Sequence, residues 1–118
     1  MTTDLDVVNS DANYLEVMKI AVVDAIEDIK GFDITVMDVR KLTSMTSYMI
    51  VASATSSRQA KSIADNVREK LKEKGYSIRG TEGEKEGEWV LVDLNDIVVH
   101  IMVPTTRAYY NLEQLWGE

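Results

Sequence analysis

Residues 88–102 read EWVLVDLNDIVVHIM, which is two apolar runs joined by the pair Asn95-Asp96. Both residue types of that pair tolerate the left-handed backbone that a tight turn requires, so the stretch predicts a β-hairpin. With the turn placed there, Trp89 pairs with Met102 at the far end of the two strands. Because side chains alternate along a strand, one face of the hairpin is then wholly aliphatic and is the predicted core face. It comprises Val90, Val92, Leu94, Ile97, Val99 and Ile101.

The opposite face of the hairpin mixes a carboxylate and an imidazole with large apolar side chains. Such a face is typical of a surface that a partner covers for part of the time. Trp89 is the predicted anchor of that contact, since Trp is enriched at the energetic centres of interfaces, with packing in the core as the alternative. His100 has no Ser or Cys nucleophile pattern beside it, which favours a structural or contact role over that of a general base. The predicted partner-binding residues of this face are Trp89, Leu91, Asp93, Val98, His100 and Met102.

The segments around the hairpin predict an α/β domain with a mixed five-stranded sheet and the element order αββαβββα. Apolar spacings of three and four predict the helices, and runs rich in β-branched residues predict the strands. Residues 81–88 are predicted to be a flexible acidic loop. Residues 1–9 are predicted to be a flexible N-terminal arm ahead of a single domain over residues 10–118. The predicted helices are 10–30, 57–74 and 107–116, and the strands beside the hairpin are 33–39, 47–53 and 76–80.

Composition excludes several classes of site. The chain has 118 residues with 20 acidic and 13 basic side chains, a net charge of −7, no Cys and one His. A disulfide, a thiol nucleophile, a Cys-ligated zinc, an iron–sulfur cluster and a multi-histidine metal site are therefore excluded. We expect no metal, no cofactor and no catalytic residues. No apolar run approaches the ~20 residues that cross a bilayer, and the acidic start argues against a targeting presequence, so we expect a cytoplasmic protein without membrane contact.

The sign of the charge bears on the partner. Nucleic acid is bound mainly by cationic surface, so a net charge of −7 argues against a general nucleic-acid binder. The charge is uneven, because residues 58–74 carry six basic side chains against three acidic ones. An RNA-binding module acting through this helix therefore stays open as an alternative, and so does a secondary contact with RNA.

One segment resembles a phosphate site. Residues 53–58, SATSSR, lie between a predicted strand and a predicted helix, where free backbone N–H groups can hold a phosphate. The segment lacks the glycine patterns of nucleotide-binding loops, and Ser and Thr favour helix caps, so capping is the preferred interpretation. Asp93 and Asp96 are separated by the turn, whereas a catalytic carboxylate pair must converge. A nucleotidyltransferase-like enzyme that binds a phosphate or nucleotide through these residues stays the alternative function.

Three stretches stand in a specific order along the chain: SYMIVASATSSRQAKSIADNV at 47–67, EGEKEGEWVLVDLNDIVVHIM at 82–102 and RAYYNLEQLW at 107–116. Together they resemble the ribosomal silencing factor family, also called RsfS or Iojap, over almost all of residues 12–116. The resemblance implies a nucleotidyltransferase-like core that lacks the catalytic metal-binding signature of that superfamily. It therefore implies a binding protein and not an enzyme.

The resemblance also implies what the protein does. The family docks on the large ribosomal subunit through ribosomal protein L-fourteen and sterically blocks joining of the small subunit, which represses translation when nutrients are scarce. Its exposed patch falls on the hairpin of this chain, around Trp89, Leu91 and Asp93. A second copy could cover the same mixed face, so we expect a homodimer in the free protein. The further partner-binding candidates that the family implies are Tyr48, Arg107 and Tyr109.

Overall fold

The computed structural model describes the backbone of residues 3–117 and the side chains of residues 13–117. Within that range one five-stranded sheet carries helices on both of its faces. None of the helices in this range is long and apolar enough to cross a membrane. In chain order the elements are α1 (Thr3–Asp28), β1 (Phe32–Asp38), β2 (Tyr48–Ser53), α2 (Ser57–Glu73), β3 (Gly80–Glu82), β4 (Trp89–Asp93), β5 (Ile97–Met102), α3 (Pro104–Tyr110) and α4 (Leu112–Trp116).

The sheet has the strand order β1-β2-β5-β4-β3. β2 and β5 run parallel while the other neighbouring strands run antiparallel, so the sheet is mixed, as predicted. β4 and β5 form the predicted hairpin in the predicted register, with Trp89 opposite Met102. The N–H of Leu94 donates to the carbonyl of Ile97 at 2.9 Å, and Asn95 adopts a left-handed φ of 74° in the turn between them.

α1 and α2 cover one face of the sheet and bury the aliphatic face of the hairpin, as predicted. All six aliphatic hairpin side chains are at most 3% exposed. The helices pack onto them with branched and flexible side chains at helical spacing, among them Met18 from α1 and Ile63 and Val67 from α2. α2 follows the predicted N-cap Ser56, whose Oγ accepts a hydrogen bond from the N–H of Gln59 at 3.1 Å.

The other face of the sheet is covered at one end by α3 and α4. Trp89 and Trp116 pack against the border of the cluster that forms there. The expectation that this whole face is open to a partner is therefore wrong for the covered end. The helices that begin at Pro104 fold back over the strands that precede them. The spacing of apolar residues within one segment does not predict such a contact between distant segments. The members of this second core are Met37, Val39, Met49, Val51, Met102 and Leu112.

The first helix is longer than predicted. α1 begins at Thr3, whereas the pattern predicted a start at Ser10. Residues 3–9, predicted as a flexible arm, continue the helix, and the first two residues of that arm lie outside the described range.

Two further elements differ from prediction. The C-terminal helix is broken at Asn111, which has a φ of 49°, a left-handed conformation that Asn adopts more readily than most residues. The element order is therefore αββαβββαα. The third strand lies at Gly80–Glu82 instead of 76–80, which leaves residues 83–88 as the loop. Tyr76 turns instead into the core under α1, and its O–H donates to the carbonyl of Tyr14 at 3.3 Å.

Candidate functional site

Four of the six predicted hairpin contacts remain partly exposed on the sheet face away from α1 and α2. Alternate residues of β4 share that face, and Val98 of β5 lies directly opposite Asp93. The exposed group runs from Trp89, at the border of the second core, to the turn end of the hairpin. We call this group the hairpin patch; it consists of Trp89, Leu91, Asp93 and Val98.

The indole of Trp89 is held from two sides. Its Nε1–H donates to Nδ1 of His100 at 2.9 Å, and the two ring centroids are 5.9 Å apart. The ring of Tyr110, from α3, packs against the indole with centroids 4.7 Å apart and planes tilted by 50°. A side chain fixed in this way loses little rotamer freedom when a partner covers it. Trp89 thus combines partial exposure with a fixed orientation, as an interface anchor requires.

His100 lies beneath this contact and is only 5% exposed. An indole N–H can only donate, so Nδ1 of His100 accepts and the neutral ring carries its proton on Nε2. Nε2 is buried and has no hydrogen-bond partner among the described residues. Burial lowers the pKa of His100 from its ordinary 6.5 to about 4, so the ring is neutral near pH 7. His100 therefore supports Trp89 from within and is not itself on the contact surface that was predicted for it.

Asp93 shapes the turn end of the patch. Its Oδ1 accepts a hydrogen bond from the N–H of Asn95 at 2.8 Å, which helps to hold the left-handed turn residue. Nε of Arg79 lies 3.8 Å from Oδ2 of Asp93, and Nη1 of the same side chain donates to Oδ1 of Asn95 at 2.7 Å. The carboxylate is still about a third exposed, with 31% of the side chain accessible. Asp93 therefore brings negative charge to the rim of an otherwise apolar patch.

Two predicted contact residues lie elsewhere in the fold. Met102 is fully buried in the second core, because α4 places Leu112 over that end of the sheet. Tyr48 stands beside Ile97 on the helix-covered face, so it points away from the hairpin patch. Nζ of Lys19 from α1 lies 4.4 Å from the centroid of the Tyr48 ring. The structure therefore brings neither residue to the patch.

Arg107 links the C-terminal helices to the sheet and is not part of the exposed surface. Its side chain is 13% exposed. One guanidinium nitrogen donates to Oγ of the buried Ser53 at 2.8 Å, and another donates to Oγ1 of Thr35 at 3.2 Å and to Glu113 at 2.6 Å. These bonds connect α3 and α4 to β1 and β2. Arg107 thus holds the helices that cover the second core. Desolvation by burial acts to raise the pKa of Glu113, but the hydrogen bond and the charge of Arg107, together with a backbone hydrogen bond, outweigh it and the pKa is lowered.

An aromatic pair on α3 extends the patch. Tyr109 is 81% exposed, as expected for a contact residue, and its ring meets that of Tyr110 edge-on with centroids 5.0 Å apart. Tyr110 then contacts Trp89, so the three rings form a continuous row. The sequence reasoning missed Tyr110, because a single unbroken helix through Asn111 would have turned it away from the apolar stripe. The sequence feature that could have indicated Tyr110 is the adjacent pair Tyr109-Tyr110, which follows a few residues after the hairpin that contains Trp89.

The features that favoured an enzyme have local structural roles. In the SATSSR segment, the Ser56 hydroxyl caps α2, and the side chain of Gln59 accepts from the Thr55 hydroxyl at 2.8 Å. Nε2 of Gln59 also donates to the carbonyl of Ile29 at 2.9 Å, which ties the loop to the end of α1. Across the residues that the structure describes, no group of three His, Asp or Glu side chains is placed to hold a metal ion. These contacts make the segment a helix cap.

The basic helix α2 is partly neutralised. Arg68 forms ion pairs with Asp65, on the same helix, and with Glu84 of the acidic loop, the latter at 2.6 Å. Its Nη1 also donates to Oγ1 of Thr81 at 3.1 Å. The charge excess that the sequence places on α2 is therefore smaller at its surface than the composition indicates.

Comparison with known proteins gives matches over most of the chain. Residues 12–118 match the family described as "Ribosomal silencing factor during starvation". The chain is 54% identical to the ribosomal silencing factor RsfS of Chromobacterium violaceum over 102 residues, which are 86% of this chain and 83% of that protein. It is 36% identical to RsfS of Bacillus subtilis over 90% of this chain and 89% of that one. A crystal structure of a Chromobacterium violaceum protein, 51% identical, superimposes with a TM-score of 0.85 over 86% of this chain and 85% of its own.

Proposed function

Because the chain belongs to the ribosomal silencing factor family, as its sequence pattern predicted, we propose that it binds the large ribosomal subunit through ribosomal protein L-fourteen. In this proposal the bound domain keeps the small subunit from joining and so lowers translation when nutrients are scarce. It acts in the cytoplasm, by occupying a surface and without catalysing a reaction. The observation that carries the proposal is the hairpin patch with the fixed indole of Trp89.

The patch has the composition of an interface centre. Trp89, Leu91 and Val98 supply apolar area beside the exposed rings of α3, and Asp93 supplies a charge at the rim. Trp and Tyr are enriched among the residues that dominate binding energy, and such residues cluster where water is excluded. A patch of this kind on a sheet is also rigid, which limits the entropy lost on binding.

The charge of the domain supports a basic ribosomal protein as the partner. The whole chain carries −7 and the patch itself carries the carboxylate of Asp93. Complementary charge accelerates the encounter, while the buried apolar contacts set how long the complex lasts. Association should therefore slow as salt is added, with a smaller effect on dissociation.

The size of the domain supports a steric mechanism. Its principal dimensions are 51, 31 and 21 Å. Two protein or RNA surfaces in contact approach to within about 4 Å, so a bound body of this thickness separates surfaces that would otherwise meet. Blocking then needs no change in the shape of either subunit.

A reassociation experiment tests the proposal. Purified large subunits are incubated with the protein, small subunits are added under conditions that favour joining, and the mixture is separated on a sucrose gradient. We expect the protein to sediment with free large subunits and the joined ribosome peak to fall. Sedimentation with joined ribosomes, or an unchanged joined peak at saturating protein, would contradict the proposal.

A pair of matched substitutions locates the binding surface. Val98→Lys places a charge at the turn end of the patch, yet the new ammonium lies opposite Asp93, so the cross-strand pair protects the fold. The control is Val17→Lys, the same change at a 48% exposed position on α1, on the other side of the sheet. We expect Val98→Lys to weaken large-subunit binding about tenfold or more and Val17→Lys to leave it unchanged. Equal binding by the two variants would move the interface away from the patch.

A further inference from the structure

A second apolar surface lies between α1 and the edge strand β1, on the helix-covered face of the sheet. It is a groove of about 380 Å³. Ile20 of α1 is 53% exposed beside it, and Val36 of β1 is 42% exposed. Neither the hairpin patch nor the proposed ribosome contact uses these side chains. We call this surface the α1–β1 groove; it is lined by Glu16, Lys19, Ile20, Val23, Asp24 and Val36.

The groove exists because the helix layer is too narrow for the sheet. Five strands spaced by about 4.8 Å make a face more than 20 Å wide, and a helix covers about 10 Å of it. α2 packs over β4 and β5, and α1 packs beside it. Ile50 of β2 is therefore fully buried, whereas its neighbour Val36 on β1 is left open. The helix layer therefore stops short of β1, and the groove is the strip of the sheet face that stays uncovered beside α1.

The shape of the edge favours a helix over an added strand. The pairing of β1 with β2 is irregular between Phe32 and Thr35, and Asp33 in that interval has a left-handed φ of 51°. An irregular edge with an exposed carboxylate resists the addition of a further strand. The walls of the groove are a helix flank and a sheet face, which are the surfaces against which a helix packs.

The charges around the groove specify the occupant. Residues 3–28 of α1 carry seven acidic side chains and one basic one. The basic one, Lys19, is paired with Glu16 at 3.0 Å, whereas Asp24, Glu27 and Asp28 have no ion-pair partner among the described residues. Lys or Arg side chains flanking an apolar stripe would meet these carboxylates. The α1 of a second copy would instead bring like charges together, which opposes association.

We propose that the α1–β1 groove binds an amphipathic, basic α-helix of a partner protein. The apolar stripe of that helix lies over Ile20, Val23 and Val36, and its basic flank lies along Asp24 and Glu27. The groove and the hairpin patch are on opposite faces of the sheet, so one can be filled while the other is occupied. The groove stands on its own geometry and does not depend on the proposed ribosome contact.

The experiment uses the full chain labelled with ¹⁵N and a synthetic Leu/Lys amphipathic helix of about 18 residues, long enough to be helical. A Leu/Glu peptide of the same pattern is the matched control. We expect the amide shifts caused by the Leu/Lys peptide to centre on Ile20, Val23 and Val36, and the Leu/Glu peptide to bind about tenfold more weakly or worse. Shifts centred elsewhere, or equal binding of the two peptides, would overturn the proposal.

Substitutions sharpen the test. Ile20→Lys adds a repelling charge at an exposed helix position, so the fold should tolerate it, and we expect it to weaken Leu/Lys binding about tenfold. Leu115→Lys, at a 70% exposed position on α4, is the control and should bind as the wild type does. If Ile20→Lys instead turns a dimeric wild type into a monomer in sedimentation, the occupant is a second copy and the proposal is wrong. Should Ile20→Lys fail to fold, the wild-type shift map with the two peptides decides alone.

Discussion

The hydrogen bond between Trp89 and His100 gives the sharpest prediction, because its two partners differ in their access to water. Trp89→Phe keeps an aromatic ring in the patch but removes the one donor that the described residues offer to Nδ1 of His100. His100 is 5% exposed, so this acceptor is left buried without a partner in a ring whose Nε2 already has none. An unsatisfied buried group costs about 1–3 kcal/mol, and we expect Trp89→Phe to lower the free energy of unfolding by that amount.

The reverse substitution should cost less. His100→Leu removes both ring nitrogens, including the unpartnered Nε2, and fills the space with an apolar side chain. The indole N–H of Trp89 belongs to a partly exposed residue, so water can replace the lost acceptor. We therefore expect His100→Leu to change stability by less than about 1 kcal/mol. The double variant Trp89→Phe/His100→Leu leaves neither partner of this hydrogen bond buried alone. Its loss of unfolding free energy should therefore be smaller than the sum of the two single losses by about 1 kcal/mol or more.

Urea unfolding followed by far-UV circular dichroism measures all three variants. For a domain of this size the slope of stability with urea is about 1–2 kcal/mol per molar, so the predicted loss in Trp89→Phe lowers the urea midpoint by about 0.5–3 M. Trp116→Phe is the matched control, because the Trp116 indole makes no hydrogen bond to the described residues. Equal midpoints for the Trp89 and Trp116 variants, or strictly additive losses in the double variant, would show that the hydrogen bond does not matter for stability.

Two further predictions concern acid and the tie between α3 and the sheet. Folding lowers the pKa of His100 from 6.5 to about 4, so the unfolded chain binds more protons than the folded one between these pH values. The contribution of the neutral His100 to the free energy of unfolding is therefore fully present above pH 6.5, and up to about 3 kcal/mol is lost as the pH drops to 4. Urea midpoints at pH 7.5 and 5 measure about 2 kcal/mol of this loss. A loss of the same size in His100→Leu would assign it to other groups. Arg107→Ala leaves the buried Ser53 hydroxyl and the Glu113 carboxylate without their guanidinium partner, so it should lower the free energy of unfolding by about 2–3 kcal/mol. Arg107→Lys should restore only part of this loss, because lysine lacks the several N–H donors of the guanidinium. Thermal unfolding checks this, and an unchanged Tm in Arg107→Ala would mean that α3 is held by its apolar contacts alone.

The hairpin could be predicted from the sequence because everything that determines it is local. The pair Asn95-Asp96 marks the turn, and the turn position alone decides which residue of β5 faces each residue of β4. The parity of side chains then separates the aliphatic face from the mixed face without reference to the rest of the chain. The same argument is correct for the cap of α2, where Ser56 and Gln59 lie three residues apart.

The exposure of the mixed face could not be predicted in the same way. Whether His100 and Met102 meet solvent depends on where α3 and α4 lie, and that depends on the break at Asn111 and on the bonds from Arg107 to Ser53. These contacts join residues more than fifty positions apart in the chain. Parity therefore assigned the face correctly and left the division of that face into core and surface undetermined.

That division decides how binding data on this domain should be interpreted. Met102 and Val98 lie on the same face of β5, yet the first is fully buried under α4 and the second is partly exposed. Truncating Met102 leaves a cavity in the second core and lowers stability, so it can weaken binding without touching a partner. Val98→Lys changes the surface while its partner Asp93 helps to keep the fold. A binding defect therefore identifies the hairpin patch only where the free energy of unfolding is retained, and Val98→Lys is the substitution on this face best placed to meet that condition.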